Sequence, residues 1–394
     1  MARYEHEVRY NLAETCVKPF RGRELLELTG QVDKHLEHIL DMQLHYGDIP
    51  GSPRLRQGLA RLYRDLDPER ILVTHGAIGA NFLVFYTLVE PGDTVVSIFP
   101  AYEQLYRVAE SLGATVRRWE LRPENGYQPD LAELERLLDD RTRLVVINNP
   151  HNPTGALIEE PLLREIARRA EEVGAYLLCD EAYRGLWLDD TVTAPSAVEV
   201  SPRAIVTGSF AKPFSLAGLR LGWIAGPPEV VRACWQHRDY TTISVGRIDD
   251  YLAAVAMEHV EKVMARNLAL LRRNFRIVER WVATEPHITW VRPRAGTTAF
   301  LQYDLDIPSM ALCEGLIREE STFLVPGACF EREGFLRLGY AGDTSILQEG
   351  LRRISRYLAS LSRSHSPGRG GSHAVSFSTS QLGRSRRSLA PTGA

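Results

Sequence analysis

LVVINNPHNPTG, residues 144–155, is an unbroken apolar run that ends in a cluster of Asn, Pro and Gly. A run of that kind has no polar face, which predicts a strand covered on both sides. The turn formers predict that the chain reverses just after it. The pattern recurs in AYLLC (175–179), which leads into Asp180, and in AIVT (204–207), which leads towards Ser209. Upstream, ILVT (71–74), TVVSI (94–98) and the stretch 114–119 read as further strands. Helical stretches lie between them. RLRQGLARLYRDL follows the cap and first-turn pair Ser52-Pro53, and AIGANFLVFYTLV follows Gly76. Another helix begins at about Tyr102, and one follows Asp130, where Asp130 and Glu133 read as a capping pair. Strands alternating with helices predict an α/β domain with a mostly parallel sheet.

Past Arg238 the pattern changes. One long helical stretch over 247–282 precedes the short strands ITWVR, TTAFLQY and FLRLGY and helices at about 308–319 and 344–360. This predicts a second, smaller α+β domain. The expected division is an N-terminal arm with part of the small domain (1–45), a large domain (46–245), the small C-terminal domain (246–361) and a disordered tail (362–394). The tail is rich in Ser, Gly and Arg and has neither Asp nor Glu, so little apolar surface offsets the entropy of ordering it. Its five arginines leave contact with an acidic surface open, and a solvated appendage is the plainer reading.

The 394 residues, 44% hydrophobic and 25% charged, are ordinary globular composition and enough for two cores. A formal net charge of −3 gives no reason to expect a nucleic-acid partner. Five scattered cysteines without CxxC spacing predict neither a disulfide framework nor a metal site, and they fit a reducing compartment. MARYEHEVRYNL lacks the apolar core of a signal peptide, and no run is long enough to span a bilayer. The expectation is a soluble, cytoplasmic protein with no membrane partner.

The most informative segment is SFAKPFSLAGLRLGW (209–223). Lys212 leaves a strand through a turn of small residues, and Arg220 follows. A lysine amine forms an imine with an aldehyde, and does so best when desolvation lowers its pKa. Ser209 and Arg220 can offer a hydroxyl and a forked cation to a phosphate beside it. Alone, a lysine in a polar loop is a surface lysine. Asp180 closes the strand AYLLC, where it is either a helix cap or a ligand group, since ligands of open α/β sheets bind at strand C-termini. His75-Gly76-Ala77-Ile78-Gly79 lies between a strand and a helix, and its small residues let backbone N–H groups at the helix start approach a phosphate.

Together these motifs resemble the class I/II aminotransferases, the fold-type I pyridoxal 5′-phosphate (PLP) enzymes, from near Asn11 to about Leu358. The resemblance implies that fold: a large domain with a mostly parallel sheet, and a small domain built from both chain ends. It also implies PLP as cofactor, an amino acid and a 2-oxo acid as substrates, and a homodimer. Lys212 would carry the cofactor as a Schiff base and then move the substrate Cα proton. Asp180 would pair with the pyridine nitrogen, and Tyr183 and Asn152 would hold the ring oxygen. Tyr102 would stack on the ring. Ser209, Arg220 and the Gly76-Ala77-Ile78 turn would hold the phosphate, joined by Tyr46 of YGDIPG from the neighbouring subunit. Arg337 of FLRLGY would clamp the substrate carboxylate, with Asn152 beside it. Two positions depart from the family pattern: Ala211 stands where a hydroxyl is common, and His151 where Asn is usual.

Transamination is the leading function so implied. RPENGY, LAGLRLGW and HRDYTTIS also resemble capreomycidine synthase-like enzymes of the same fold group. The alternative is therefore a PLP lyase, cyclase or oxidase acting on an arginine-derived amino acid. The shared motifs build the electron sink and do not separate these outcomes. A regulator that kept the fold without the chemistry is a third reading, opposed by the intact set Asn152, Asp180, Tyr183, Lys212 and Arg220. Glu14 is the one acid between Tyr10 and Val17, in a segment that in this fold group returns over the active-site mouth. There it would favour a cationic side chain; as a plainer reading it flanks or caps a short helix.

Overall fold

The computed structural model describes residues 7–191 and 193–365. Its first strand, β1 (Tyr10–Asn11), pairs with a strand near the other end of the chain. The large sheet holds β2 (Ile71–Thr74), β3 (Thr94–Phe99), β4 (Thr115–Glu120), β5 (Thr142–Asn148), β6 (Tyr176–Asp180), β7 (Ala204–Ser209) and β8 (Gly222–Ala225). Their order is β2-β8-β7-β6-β5-β3-β4. Neighbours from β7 to β4 run parallel, and β8 runs antiparallel to both β2 and β7. Every residue of β3, β7 and β8 is buried, as unbroken apolar runs require when both faces of the sheet are covered. At Gly208 a Cβ would come within 2.1 Å of the Trp223 indole, so only glycine lets that ring lie on β7.

A four-stranded antiparallel sheet, β12-β13-β10-β9, follows from β9 (Ile288–Trp290), β10 (Thr298–Tyr303), β12 (Val325–Pro326) and β13 (Phe335–Gly339). The remaining strand, β11 (Thr322–Phe323), takes β1 in parallel register, Tyr10 opposite Thr322. Two hydrophobic cores result. One surrounds the large sheet; in the other, Leu12 and Val17 from the N-terminal segment pack with Leu271, Phe275, Leu301, Leu338 and Ile354. Each such side chain contributes about 1.5–3 kcal/mol when fully buried, so the start of the chain is fixed to its far end by packing.

Several local expectations change. The stretch 247–282 is two helices, Arg247–Glu258 and Val260–Val282, because His259 leaves helical geometry. The helix after Ser52 stops at Ala60, and the one expected from Tyr102 starts at Gln104. Asp130 does cap its helix by accepting from Ala132 N, but Glu133 turns instead to Arg122 and the Glu120 backbone N–H. The last helix runs from Thr344 to His365, so the first residues of the expected tail are helical. Residues 366–394 of that tail lie outside the described residues. No helix among the described residues is long and apolar enough to cross a membrane.

Candidate active site

Four strands of the large sheet deliver the site residues from their C-terminal ends, where open α/β sheets bind ligands. β6 ends at Asp180, β5 leads into the loop holding Asn152, β3 leads to Tyr102, and β7 leads to Lys212.

The Lys212 turn is fixed by aromatic packing. Phe210 and Phe214 flank it, both buried, with ring centroids 5.3 Å apart, and each packs on Trp223. Asn267 donates to the Pro213 carbonyl at 2.7 Å, and Phe210 N donates to Leu221 O at 3.1 Å. Its flanks anchored, the turn projects Lys212 inward. The chain has four lysines; Lys18, Lys34 and Lys262 are exposed, and Lys212 alone is not. Its Nζ donates to Thr15 Oγ1 and lies 3.3 Å from Cys16 Sγ and 3.9 Å from Glu14 Oε1. Burial pushes the Lys212 ammonium down, but Tyr183, Cys16 and Glu14 together leave it raised. That corrects the expectation of a lowered pKa: desolvation is present, and neighbouring groups of negative character outweigh it.

Asp180 is buried and oriented from both sides. Its Oδ2 accepts from Asn81 Nδ2 at 2.9 Å, and its Oδ1 from Ala182 N at 2.9 Å. Asn81 is set in turn by the Thr207 hydroxyl, which donates to Asn81 Oδ1 at 2.7 Å. Burial raises the Asp180 carboxyl, opposed by the Asn81 hydrogen bond and the Lys212 charge. Tyr183 is buried nearby, and Tyr102 stands half-open. Burial and the Asp180 carboxylate push the Tyr102 phenol up, and Lys212 opposes them.

Asn152 and Arg337 meet directly. Arg337 Nη1 donates to Asn152 Oδ1 at 3.2 Å, and Nη2 to the Ala13 carbonyl at 2.9 Å. The Asn152 loop is held by its own N–H donating to Asn148 Oδ1 at 2.7 Å. Among the described residues no carboxylate pairs with the buried Arg337, and its Nε has no hydrogen-bond partner. A buried guanidinium without a counter-ion is costly, which marks this place for an anion. His151, the family departure, is buried and bonds Thr154 Oγ1 at 2.7 Å; burial lowers its imidazole to about 4, so it is neutral at pH 7.

The helix Gly76–Leu88 begins against β8. A Cβ on Gly222 would meet Ala77 N at 2.4 Å, and one on Gly76 would meet Arg220 Nη2 at 3.0 Å. Glycine at both places therefore lets the N–H groups of Gly76, Ala77 and Ile78 and the Arg220 guanidinium share one corner. Arg220 itself adopts left-handed backbone, φ 55°, and donates to the Ala217 carbonyl at 3.1 Å. Ser209 Oγ accepts from Ala211 N at 3.1 Å. An amine, a buried carboxylate and a helix start beside a guanidinium are the donor set that an aldehyde, a pyridine nitrogen and a phosphate need, so the residues fit PLP.

Tyr46 is not among the groups brought together. It is exposed, on a loop tied by Arg247 to the Gln43 carbonyl and the His45 ring. Glu14 does lie at the mouth, yet its Oε1 already accepts from Thr15 N at 2.7 Å and Cys16 N at 2.8 Å. Its carboxyl is lowered: burial raises it, and Lys212 and the Cys16 hydrogen bonds prevail. Thr15, Cys16 and Asn81 belong to this constellation, and the sequence motifs do not include them. Asn81 had a signal, a lone amide in an otherwise apolar buried helix. Thr15 and Cys16 had none.

The chain is similar to known proteins. The family described as Aminotransferase class I and II matches residues 28–354. Capreomycidine synthase of Streptomyces vinaceus is 37% identical over 331 residues, 83% of this chain and 85% of that protein. Aspartate aminotransferase of Thermotoga maritima is 31% identical over 358 residues, 86% of this chain and 93% of that one. The crystal structure of a PLP-dependent aminotransferase from Streptococcus suis superposes with a TM-score of 0.89 at 38% identity, covering 91% of this chain and 96% of that one. The chain belongs to the class I and II aminotransferases, a family of enzymes whose cofactor is pyridoxal 5′-phosphate.

Proposed function

We propose that the protein is a transaminase that moves the amino group of an L-amino acid to a 2-oxo acid, with Lys212 as the residue that holds PLP and moves the proton. The observation that carries this reading is the strap Ala13–Cys16. It joins the unpaired buried Arg337 guanidinium, through the Ala13 carbonyl, to Lys212 Nζ, through Thr15. An α-carboxylate bound at Arg337 thus sets its amino group and Cα towards Lys212. PLP supplies an aldehyde that captures amines and a ring that withdraws electrons from the carbon attached to the captured nitrogen.

Lys212 Nζ would hold the cofactor and then, once freed, take the proton from the substrate Cα and return it elsewhere. The Asp180 carboxylate, held by Asn81 and Ala182, would face the ring nitrogen and keep its proton in place. Asn152 and Tyr183 would orient the ring oxygen, and Tyr102 would cover the ring face. Arg220, Ser209 and the N–H groups of Gly76, Ala77 and Ile78 would take the phosphate. Tyr46, exposed in its own chain, would serve the phosphate of a partner subunit in a homodimer; sedimentation of an active monomer would contradict this. A panel of amino acids with a 2-oxo acid acceptor should give a new 2-oxo acid in step with acceptor consumption. Ammonia or peroxide without acceptor consumption would refute transamination.

A second reading is a lyase, cyclase or oxidase acting on an arginine-derived amino acid, and one feature favours the basic substrate, though not one outcome over another. The Glu14 carboxylate sits 3.9 Å from Lys212 Nζ, with only Oε1 used by its own backbone. It can pair with a guanidinium through a charge-assisted bond. Glu14→Gln should then lower kcat/KM for basic amino acids by about 10-fold, and for neutral ones by far less. Equal loss across both groups would leave Glu14 a cap for its own turn.

A further inference from the structure

Beside the site, the edge of the large sheet is tied to the antiparallel part of the molecule by two crossed ion pairs. Arg118 and Glu120 stand two apart on the edge strand β4; Glu331 and Arg332 are consecutive residues before β13. Arg118 forks onto Glu331 with Nη1···Oε2 2.8 Å and Nη2···Oε1 3.0 Å, and Arg332 bonds Glu120. Arg107 adds a third contact to Glu331 at 3.1 Å. The two guanidiniums also lie over Phe99, with Arg118 at 4.2 Å and Arg332 at 4.7 Å from the ring centroid. A cation contributed by each side thus packs on one buried ring.

Both ends of this clasp lead directly to site residues. Phe99 closes β3, and its chain continues through Pro100 and Ala101 to Tyr102. Glu331 follows Phe330, whose ring lies 5.5 Å beneath the Arg337 guanidinium and packs edge-on to Phe300. We propose that the paired contacts Arg118–Glu331 and Glu120–Arg332 position the site. They set the spacing between the Tyr102 loop and the Arg337 strand, and so the width of the gap into which the substrate carboxylate fits. This rests on the reading of Arg337 as the carboxylate clamp. None of the four residues touches cofactor or substrate, so they are positioning residues and act on binding.

The test is the full-length holoenzyme carrying Glu120→Gln and Glu331→Gln, which removes both anions and keeps side-chain size. Half-exposed pairs of this kind are individually weak and screened by salt. With the best donor among the twenty standard L-amino acids, KM should rise about 5-fold, with kcat and PLP affinity unchanged. About 1 M salt should raise the wild-type KM by a larger factor than the variant's, which keeps only the salt dependence of the Arg337–carboxylate pair itself. A KM within about twofold of wild type overturns the proposal, as does a parallel fall in kcat, PLP affinity and melting temperature, the mark of general structural damage. Arg337→Gln measured alongside separates the two claims. If it leaves KM unchanged, the clamp reading fails; if it raises KM and the double variant does not, only the clasp fails.

Discussion

Lys212→Ala is expected to reduce turnover by about 10²–10⁴-fold, the usual contribution of a positioned proton-transfer group, with the loss of covalent capture adding to it. The fold should tolerate the change. The Lys212 side chain ends in contacts with Thr15 and Cys16, while the turn around it is held by Phe210, Phe214 and Trp223. Burial already raises the Cys16 thiol to about 11 against the opposing Lys212 charge, so it is neutral at pH 7 and removing the amine strands no thiolate. The melting temperature should therefore shift by no more than a few degrees, the equivalent of about 1 kcal/mol. Parallel measurement of turnover and thermal unfolding checks this. A variant that retains a tenth or more of wild-type turnover would show that another group moves the proton.

Asp180→Ala should cost both stability and rate, and Asp180→Asn should divide them. Truncation leaves Asn81 Nδ2 and Ala182 N without their acceptor in a buried place, worth about 1–3 kcal/mol of stability. On the proposed reading it also removes the anion that would face the ring nitrogen. Losing one partner of a buried ion pair costs about 3–5 kcal/mol, which corresponds to a rate loss of about 10²-fold or more. Asparagine keeps a carbonyl for one of the two donors and leaves the other unmatched, so it should lose less stability than alanine while turning over as slowly. A brisk Asp180→Asn enzyme would mean that the ring proton is held by another group.

The central strands are legible because they are mostly apolar and bounded by turn formers. TVVSI, LVVIN and AIVT all fall within the observed strands, whose ends extend by one or two residues. What periodicity could not give is the strand order, since β8 runs antiparallel between β2 and β7 and is only four residues long. The break at His259 was hidden because the amphipathic pattern continues across it. The motif residues at strand ends converge, since a parallel sheet carries all its C-termini to one edge. Thr15 and Cys16 escaped notice because their contact with Lys212 depends on β1 pairing with β11, a link between distant segments that no local spacing encodes. The lowered pKa expected for Lys212 failed for a related reason: desolvation was foreseen, and the strap that brings Glu14 and Cys16 against the amine was not.

The most direct test of the account uses the shortage of lysines. Only Lys18, Lys34, Lys212 and Lys262 are available to a pyridoxal aldehyde, and three of them are exposed. Purified protein is treated with borohydride, digested and mapped by mass spectrometry. The account predicts a stoichiometric pyridoxyl adduct on the peptide containing Lys212 and none on the other three. An adduct on Lys18, Lys34 or Lys262, or no adduct on a protein that turns over amino acids, would contradict it.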